Sequence, residues 1–228
     1  MRNQSRREFL YQSAKLGMGV GSLVAMPGMD TAIAQLPRDE ADPTYQASQG
    51  RIRQSIMGWC FREHFDAVTL AKHCKSLGIV AMEGVPAESY PDIKKLGLEI
   101  SLVGSHGFAE GPCNPKFRDS VVKKLDDAID LAASIGTRNV ITFTGMAYDG
   151  MDRDAAANRC VAVWKSVLSK AEKAGVTLVL EHLNSRDDSH PMKGHPGYFG
   201  DDVDFCFEMI RRIGSPNFKL LFDIYHVS

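Results

Sequence analysis

The sequence predicts an α/β fold in which short parallel strands alternate with helices. From residue 51 onward, runs rich in Val, Ile and Leu alternate six times with segments of helical periodicity. These runs are continuously apolar, as in parallel strands that helices cover on both faces. Polar side chains gather at the C-terminal ends of the runs, where a barrel of this class carries its active site. We therefore predict a TIM (β/α)8-type barrel with about six βα units, where a closed barrel has eight.

The predicted elements follow one another without a break in the alternation. Strands are predicted at 51–59, 79–85, 98–105, 139–145, 177–183 and 218–227. Helices are predicted at 64–77, around Ile93 and Leu96, and at 116–136, 154–174 and 201–214. Gly136 and Gly175 are expected to end two of these helices. A doubly wound sheet is the alternative, but no GxGxxG or GxxxxGK[ST] motif follows any strand.

The composition argues against several classes of protein. The net charge of −1 offers no electrostatic case for binding nucleic acid or an anionic membrane. The five cysteines are odd in number and form no CxxC pair, which argues against a disulfide scaffold or a cysteine zinc site. We expect small, mostly buried thiols instead.

The first 34 residues have the pattern of an export signal. Arg6 and Arg7 precede an apolar stretch, and Ala32 and Ala34 supply a small-residue A-x-A cleavage pattern. Paired arginines are typical of bacterial twin-arginine signals, so we predict a periplasmic or extracytoplasmic location. The apolar stretch is too short and interrupted for a stable membrane span, although an interfacial helix is an alternative. Residues 35–50 are predicted to be a linker and 51–228 the partial barrel.

Two carboxylates are the strongest candidates for chemistry. Glu181 and Asp223 each follow an apolar run, where a buried charge is costly unless it is paired or bound to a metal. Carboxylates on adjacent strand ends can converge on one divalent cation, and oxygen ligands suit Mg²⁺ or Mn²⁺. A salt bridge to a Lys or Arg of the barrel is the alternative.

Two further polar residues lie three positions after these carboxylates, Asn184 after Glu181 and His226 after Asp223. Residues i and i+3 of a strand point to opposite faces, so each pair can share a site only where the strand ends and the chain turns.

Other candidates lie on the loops that follow the strands. The 185–200 loop is long for a βα connection, and its charges, histidines and Pro-Gly-Tyr sequence predict a lid, with a surface insertion as the alternative. Trp59 could stack on a sugar or pack at the rim. His106 could face a ligand or solvent, and Glu83 could be a buried support or a substrate contact.

Three segments, in order, carry a family resemblance: MGWCF, GVTLVLEHLNSRDD…HPGYF and GSPNFKLLFDIYHV. They resemble the hydroxypyruvate isomerase branch of the xylose isomerase-like TIM barrels, a sugar phosphate isomerase/epimerase superfamily. The resemblance runs from about residue 51 to the end of the sequence, and the combination E-x-L-N…H-P-G-Y…D-I-Y-H is its most specific part.

The resemblance implies an intramolecular oxidoreductase that converts hydroxypyruvate to tartronate semialdehyde, or acts on a related keto-sugar, through an enediolate. It implies a divalent metal held by Glu181 and Asp223, with Glu181 also acting as acid and base. It places His226 as a substrate contact, and we group Asn184, His106 and Trp59 with it. The family also uses a His after strand seven and a Glu after strand eight. Neither has a counterpart here, so we expect a C-terminally truncated barrel with two of the four family ligands, and the activity of this chain stays open.

Other functions remain open from the sequence. A ketose 3-epimerase would use the same metal and glutamate pair, and a non-catalytic exported sugar- or partner-binding module is a different class. An abasic-site endonuclease is not expected, because it would need more histidine ligands and a basic groove, whereas the chain beyond residue 34 has a net charge of −3. The expected partner is a small hydroxy-carbonyl substrate, with a homo-oligomer by analogy to the superfamily.

Overall fold

The computed structural model describes residues 52–189 and 193–227. The six strands in these ranges are β1 (Ser55–Met57), β2 (Ala81–Glu83), β3 (Glu99–Ile100), β4 (Asn139–Thr142), β5 (Thr177–Glu181) and β6 (Phe218–Leu221). The six α-helices are α1 (Ala67–Ser76), α2 (Tyr90–Lys95), α3 (Arg118–Ile135), α4 (Arg153–Ala174), α5 (Val203–Ile213) and α6 (Ile224–Val227). The predicted signal (1–34) and linker (35–50) lie outside the described residues.

The strands are parallel and follow one another in sequence order. β1, β2 and β3 form one sheet, and β4, β5 and β6 form a second. A parallel bridge between Val103 and Val140 continues the pairing from the segment after β3 to β4. The order does not reverse, as it would in a doubly wound sheet. Among the described residues β1 and β6 do not pair, so the six strands form an open arc.

The hydrophobic core lies between the arc of strands and the layer of helices. Leu178 and Leu180 of β5 are fully buried there, together with Ile129 of α3 and Trp164 of α4. Side chains alternate across a strand, so β5 directs Glu181 to the opposite face, toward the inside of the arc. Burial of one face of β5 against helices therefore decides where its terminal carboxylate points.

Sequence signals explain the ends of the long helices. Asp152 accepts the backbone N–H of Ala155 at the start of α4, as expected of an N-cap. Gly136 and Gly175 follow α3 and α4 with φ of 72° and 67°, left-handed values that glycine adopts without strain. Both predicted stops are thus confirmed, and they return the chain to the start of β4 and β5.

The last predicted strand is shorter than expected. β6 ends at Leu221, and Ile224–Val227 form the single helical turn α6 rather than continuing the strand to 227. The Asp223 carboxylate accepts the backbone N–H of Tyr225 at 2.8 Å, a local turn that competes with strand pairing. His226 therefore lies on a helical turn, where residues i and i+3 share a face.

Two composition-based expectations can be compared with the described residues. Four of the five cysteines are buried and Cys60 is exposed, as expected for mostly buried thiols. Across 52–189 and 193–227, no helix is both long and apolar enough to cross a membrane.

Candidate functional site

The C-terminal ends of the strands surround a cavity of about 740 Å³. Its wall includes five of the six residues that the sequence predicted for a site, namely Trp59, His106, Glu181, Asp223 and His226. The sixth, Asn184, contacts the ring of His226. The gathering of polar side chains at these strand ends is therefore observed in the fold.

Glu181, Asp223 and His226 form the polar centre of the cavity. One side-chain atom of each residue, a carboxylate oxygen or a ring nitrogen, lies within 4.8 Å of the corresponding atoms of the other two. In the described part of the chain, neither carboxylate forms a salt bridge with a Lys or Arg, the alternative left open by the sequence. The cluster is thus an acidic pair with one adjacent imidazole.

Glu181 is the most strongly perturbed of these groups. Burial, with smaller contributions from the negative charges of Asp223 and Glu83, raises its pKa from 4.5 to about 7. Glu83 is itself held by Ser101, whose hydroxyl donates to its carboxylate at 2.8 Å. Two partly desolvated carboxylates with no Lys or Arg partner among the described residues are a suitable donor set for a hard divalent ion. The residues present therefore fit the metal that the resemblance implied.

His226 is held in one tautomer by Asn184. Its Nδ1 accepts the backbone N–H of Asn184 at 3.2 Å and the side-chain Nδ2–H of the same residue at 2.8 Å. Asn184 is itself oriented, because its Nδ2 donates to the Lys193 carbonyl and its Oδ1 accepts the Arg186 N–H. The neutral ring thus carries its hydrogen on Nε2, which lies 4.0 Å from an Asp223 oxygen. Burial lowers the pKa of His226, which favours this neutral form. The ring offers a hydrogen-bond donor rather than a lone pair for a metal.

His106 is buried and both of its nitrogens bond to protein groups. Nδ1 donates to the Glu110 carbonyl at 2.9 Å, and Nε2 accepts from the Thr142 hydroxyl at 2.9 Å. The same hydroxyl accepts the indole N–H of Trp164 at 2.9 Å. Burial lowers the pKa of His106, so the ring stays neutral. His106 forms part of the cavity wall, and its role as a substrate contact stays a prediction.

The structure adds two cavity residues that the sequence did not single out, His195 and Phe108. His195, in the predicted lid, packs against Phe108 with ring centroids 4.3 Å apart and lies 6.1 Å from the His226 ring. The HPGY segment was the only signal for His195, and it did not indicate which side chain would reach the site. Trp59 is 41% exposed and lies against Gly84, where a Cβ would approach its Cδ1 to 2.7 Å.

Comparison with known proteins identifies the family. The family described as xylose isomerase-like TIM barrel matches residues 66–228 of this sequence. The chain belongs to this family. Its fold is that of a TIM barrel, of which the described residues form an open six-stranded part, as the sequence predicted.

Individual relatives in this family are more distant. The 2-oxo-tetronate isomerase of Cupriavidus necator is 31% identical over 103 residues, which are 43% of this chain and 35% of the relative. A solved protein of Sinorhizobium meliloti 1021 has a TM-score of 0.60 at 22% identity, covering 76% of this chain and 64% of its own. The IOLI protein, solved with a zinc atom, has a TM-score of 0.60 at 12% identity, with coverages of 77% and 64%. The chain thus spans about a third of the curated relative and just under two thirds of these structures.

Proposed function

We propose that this site serves the isomerisation of a small hydroxy-carbonyl compound, with hydroxypyruvate to tartronate semialdehyde as the conversion to test first. The observation that carries the proposal is the approach of Glu181, Asp223 and His226 to within 4.8 Å at the C-terminal end of parallel strands. Membership of the xylose isomerase-like family and the similarity to a protein named 2-oxo-tetronate isomerase support this reaction class.

Glu181 and Asp223 would hold a divalent cation, for which Mg²⁺ or Mn²⁺ is our proposal. The zinc atom in the IOLI structure supports a metal at such a fold without identifying the ion used here. When bound, the cation would stabilise negative charge that develops on the oxygen atoms of the substrate.

The protein residues supply the proton movement and the orientation. The carboxylate of Glu181 would take the proton from the hydroxyl-bearing carbon and return it to the neighbouring carbonyl carbon, while the hydroxyl hydrogen passes to the former carbonyl oxygen as the new carbonyl forms. His226 would donate its Nε2–H to a substrate oxygen. Asn184 would act through His226, and Trp59 and His106 would bound the substrate.

Metal binding tests the first part of the proposal. We expect Mn²⁺ to raise the melting temperature of the chain, and Asp223→Asn to weaken Mn²⁺ binding at least about tenfold, because it removes one of two anionic ligands. Asp119→Asn is the matched control, since Asp119 is an exposed carboxylate on α3 that pairs with Arg118. Equal Mn²⁺ affinities in the two variants would contradict the metal site.

Isotope exchange tests the chemistry. With Mn²⁺ in D₂O, the chain should introduce deuterium at the hydroxymethyl carbon of hydroxypyruvate, and Glu181→Gln should not. Deuterium exchange requires only that Glu181 remove a proton from this carbon and return a deuteron to it. It can therefore be detected even where hydroxypyruvate is not converted to tartronate semialdehyde. Exchange into a ketose instead would point to the 3-epimerase. An unchanged melting temperature with Mn²⁺, together with tight sugar binding, would favour the non-catalytic module.

We further propose that the first 34 residues direct twin-arginine export, on the basis of Arg6 and Arg7 before the apolar stretch. A fusion of the chain to a reporter should reach the extracytoplasmic fraction, and replacement of both arginines by lysine should retain it in the cytoplasm. Equal distribution of the two proteins would refute the export signal.

A further inference from the structure

Tyr198 reaches from the loop after β5 to the backbone of Glu181. The side chain is 2% exposed, and its hydroxyl donates to the Glu181 carbonyl oxygen at 2.8 Å. The same hydroxyl accepts the backbone N–H of Thr144 at 3.0 Å. One buried oxygen therefore links the residue that ends β5 to the segment that follows β4.

The pairing of β5 shows what this hydroxyl replaces. The N–H of Thr177 donates to Arg138, on the β4 side, whereas the N–H of Leu178 donates to Asn217, on the β6 side. Bonds of a parallel strand alternate between its two neighbours, so every second residue from Thr177 faces β4. Glu181 is one of these residues, and its carbonyl is directed at the continuation of β4.

The next bond of the ladder would join Glu181 directly to Thr144. Thr142 pairs with Leu180 in the last regular position, so the following N–H in register with the Glu181 carbonyl is that of Thr144. Both groups bond to the Tyr198 hydroxyl instead. Two hydrogen bonds in series span more than one direct bond of about 2.9 Å, so the strand ends separate at the point where Glu181 enters the cavity.

Tyr198 is itself fixed by the loop around it. It forms an antiparallel bridge with Met146, and the carbonyl of Gly197 accepts the N–H of Ala147 at 2.8 Å. The N–H of Phe199 donates to Gly145 at 3.0 Å. Burial raises the pKa of Tyr198 well above its usual value, so the hydroxyl remains a donor throughout the working pH range.

We infer that Tyr198 is a positioning residue for Glu181. Its hydroxyl holds the ends of β4 and β5 apart, fixes the peptide group of Glu181 and so directs the carboxylate toward Asp223. The inference deepens the proposed function and rests on it for the metal-binding readout below, although the contact itself does not depend on it.

The first test compares two tyrosines. Tyr198→Phe removes the bridging hydroxyl. Tyr148→Phe is the control, because it removes a hydroxyl that bonds to Arg159 at 3.0 Å on the loop after β4, away from the cavity. We expect Tyr198→Phe to weaken Mn²⁺ binding about tenfold or more, in the range found for groups that orient metal ligands, and the control to stay within about twofold. Binding is measured at low temperature, after circular dichroism has been used to test whether each variant is folded. Wild-type affinity in Tyr198→Phe would overturn the inference.

A second readout separates this inference from the proposed function. In metal-free protein with ¹³C-labelled glutamate, Glu181→Gln assigns the carboxyl resonance of Glu181. We expect this resonance to move in Tyr198→Phe and to stay in place in Tyr148→Phe. If the wild-type chain binds no Mn²⁺, the proposed metal site fails, and the resonance alone decides the role of Tyr198. An unmoved resonance, or a Tyr198→Phe chain that does not fold even in the cold, would overturn the positioning role.

Discussion

Replacing Glu181 by glutamine should stabilise the metal-free protein at neutral and alkaline pH. The carboxyl has a pKa of about 7 in the folded chain and an ordinary value of 4.5. Between these values the folded state binds the proton more tightly than the unfolded state, so wild-type stability falls as pH rises through this window. A change from 4.5 to about 7, at about 1.4 kcal/mol per pKa unit, corresponds to about 3 kcal/mol. Glutamine never ionises and does not incur this loss.

Urea denaturation in the presence of a chelator, at a series of pH values from about 4 to about 8, measures this difference. The free energy of unfolding of Glu181→Gln minus that of wild type should be near zero at the acidic end and approach about 3 kcal/mol at the alkaline end. Ionisable groups that have the same pKa values in both proteins contribute nothing to this difference in the free energy of unfolding. Glu110→Gln is the matched control, because Glu110 is an exposed carboxylate whose ion pair with Lys124 is worth at most about 1 kcal/mol.

A flat difference across the pH range would refute the reasoning, since it would mean that Glu181 ionises in the folded chain as easily as in water. Saturating Mn²⁺ independently tests whether the ionised Glu181 carboxylate is what destabilises the wild-type protein at alkaline pH. A bound cation stabilises the ionised carboxylate, so the advantage of Glu181→Gln at alkaline pH should shrink or reverse.

Three further outcomes follow from the same structure. Mn²⁺ affinity should fall as pH drops below about 7, because protons compete for Glu181, and a pH-independent affinity would contradict this. Thr142→Val should cost about 2 kcal/mol or more in urea denaturation, since it leaves two buried partners of the hydroxyl unpaired. Gly111→Ala should cost about 1–3 kcal/mol, because a Cβ would lie 2.2 Å from the backbone of the adjacent loop. Gly107→Ala, with no atom within 4 Å, should stay within about 0.5 kcal/mol, and equal effects of the two glycine changes would contradict the packing argument.

The parts of the site that the sequence predicted are those fixed by strand periodicity. Glu181 and Asp223 follow apolar runs, and the alternation of side chains places them at the inner end of neighbouring parallel strands. The expectation that His226 could reach Asp223 only if the strand ended is confirmed by helix α6. The strand itself was predicted too long, because FDIYHV is as apolar as a strand and the Asp223 turn decides where the pairing ends.

Contacts made by loops could not be predicted in the same way. Tyr198 and His195 lie in a segment without periodicity, and their positions depend on pairing with the loop after β4. Asn184 was predicted as a substrate contact, which stays a prediction; the sequence did not indicate its hydrogen bonds to His226 and to Lys193 of the predicted lid. Such bonds depend on distances of a few ångströms between segments far apart in sequence, which no spacing rule encodes.

The chain of hydrogen bonds through Thr142 has a fixed direction. The Glu110 carbonyl can only accept, so Nδ1 of the neutral His106 ring carries the hydrogen and Nε2 is an acceptor. The Thr142 hydroxyl therefore donates its hydrogen to Nε2 of His106 while it accepts the indole N–H of Trp164. Every hydrogen in this chain is committed to a protein partner. Both ring nitrogens of His106 are therefore occupied by protein partners, and neither offers a hydrogen to a bound molecule. A molecule in the cavity can contact this ring only through its carbon atoms.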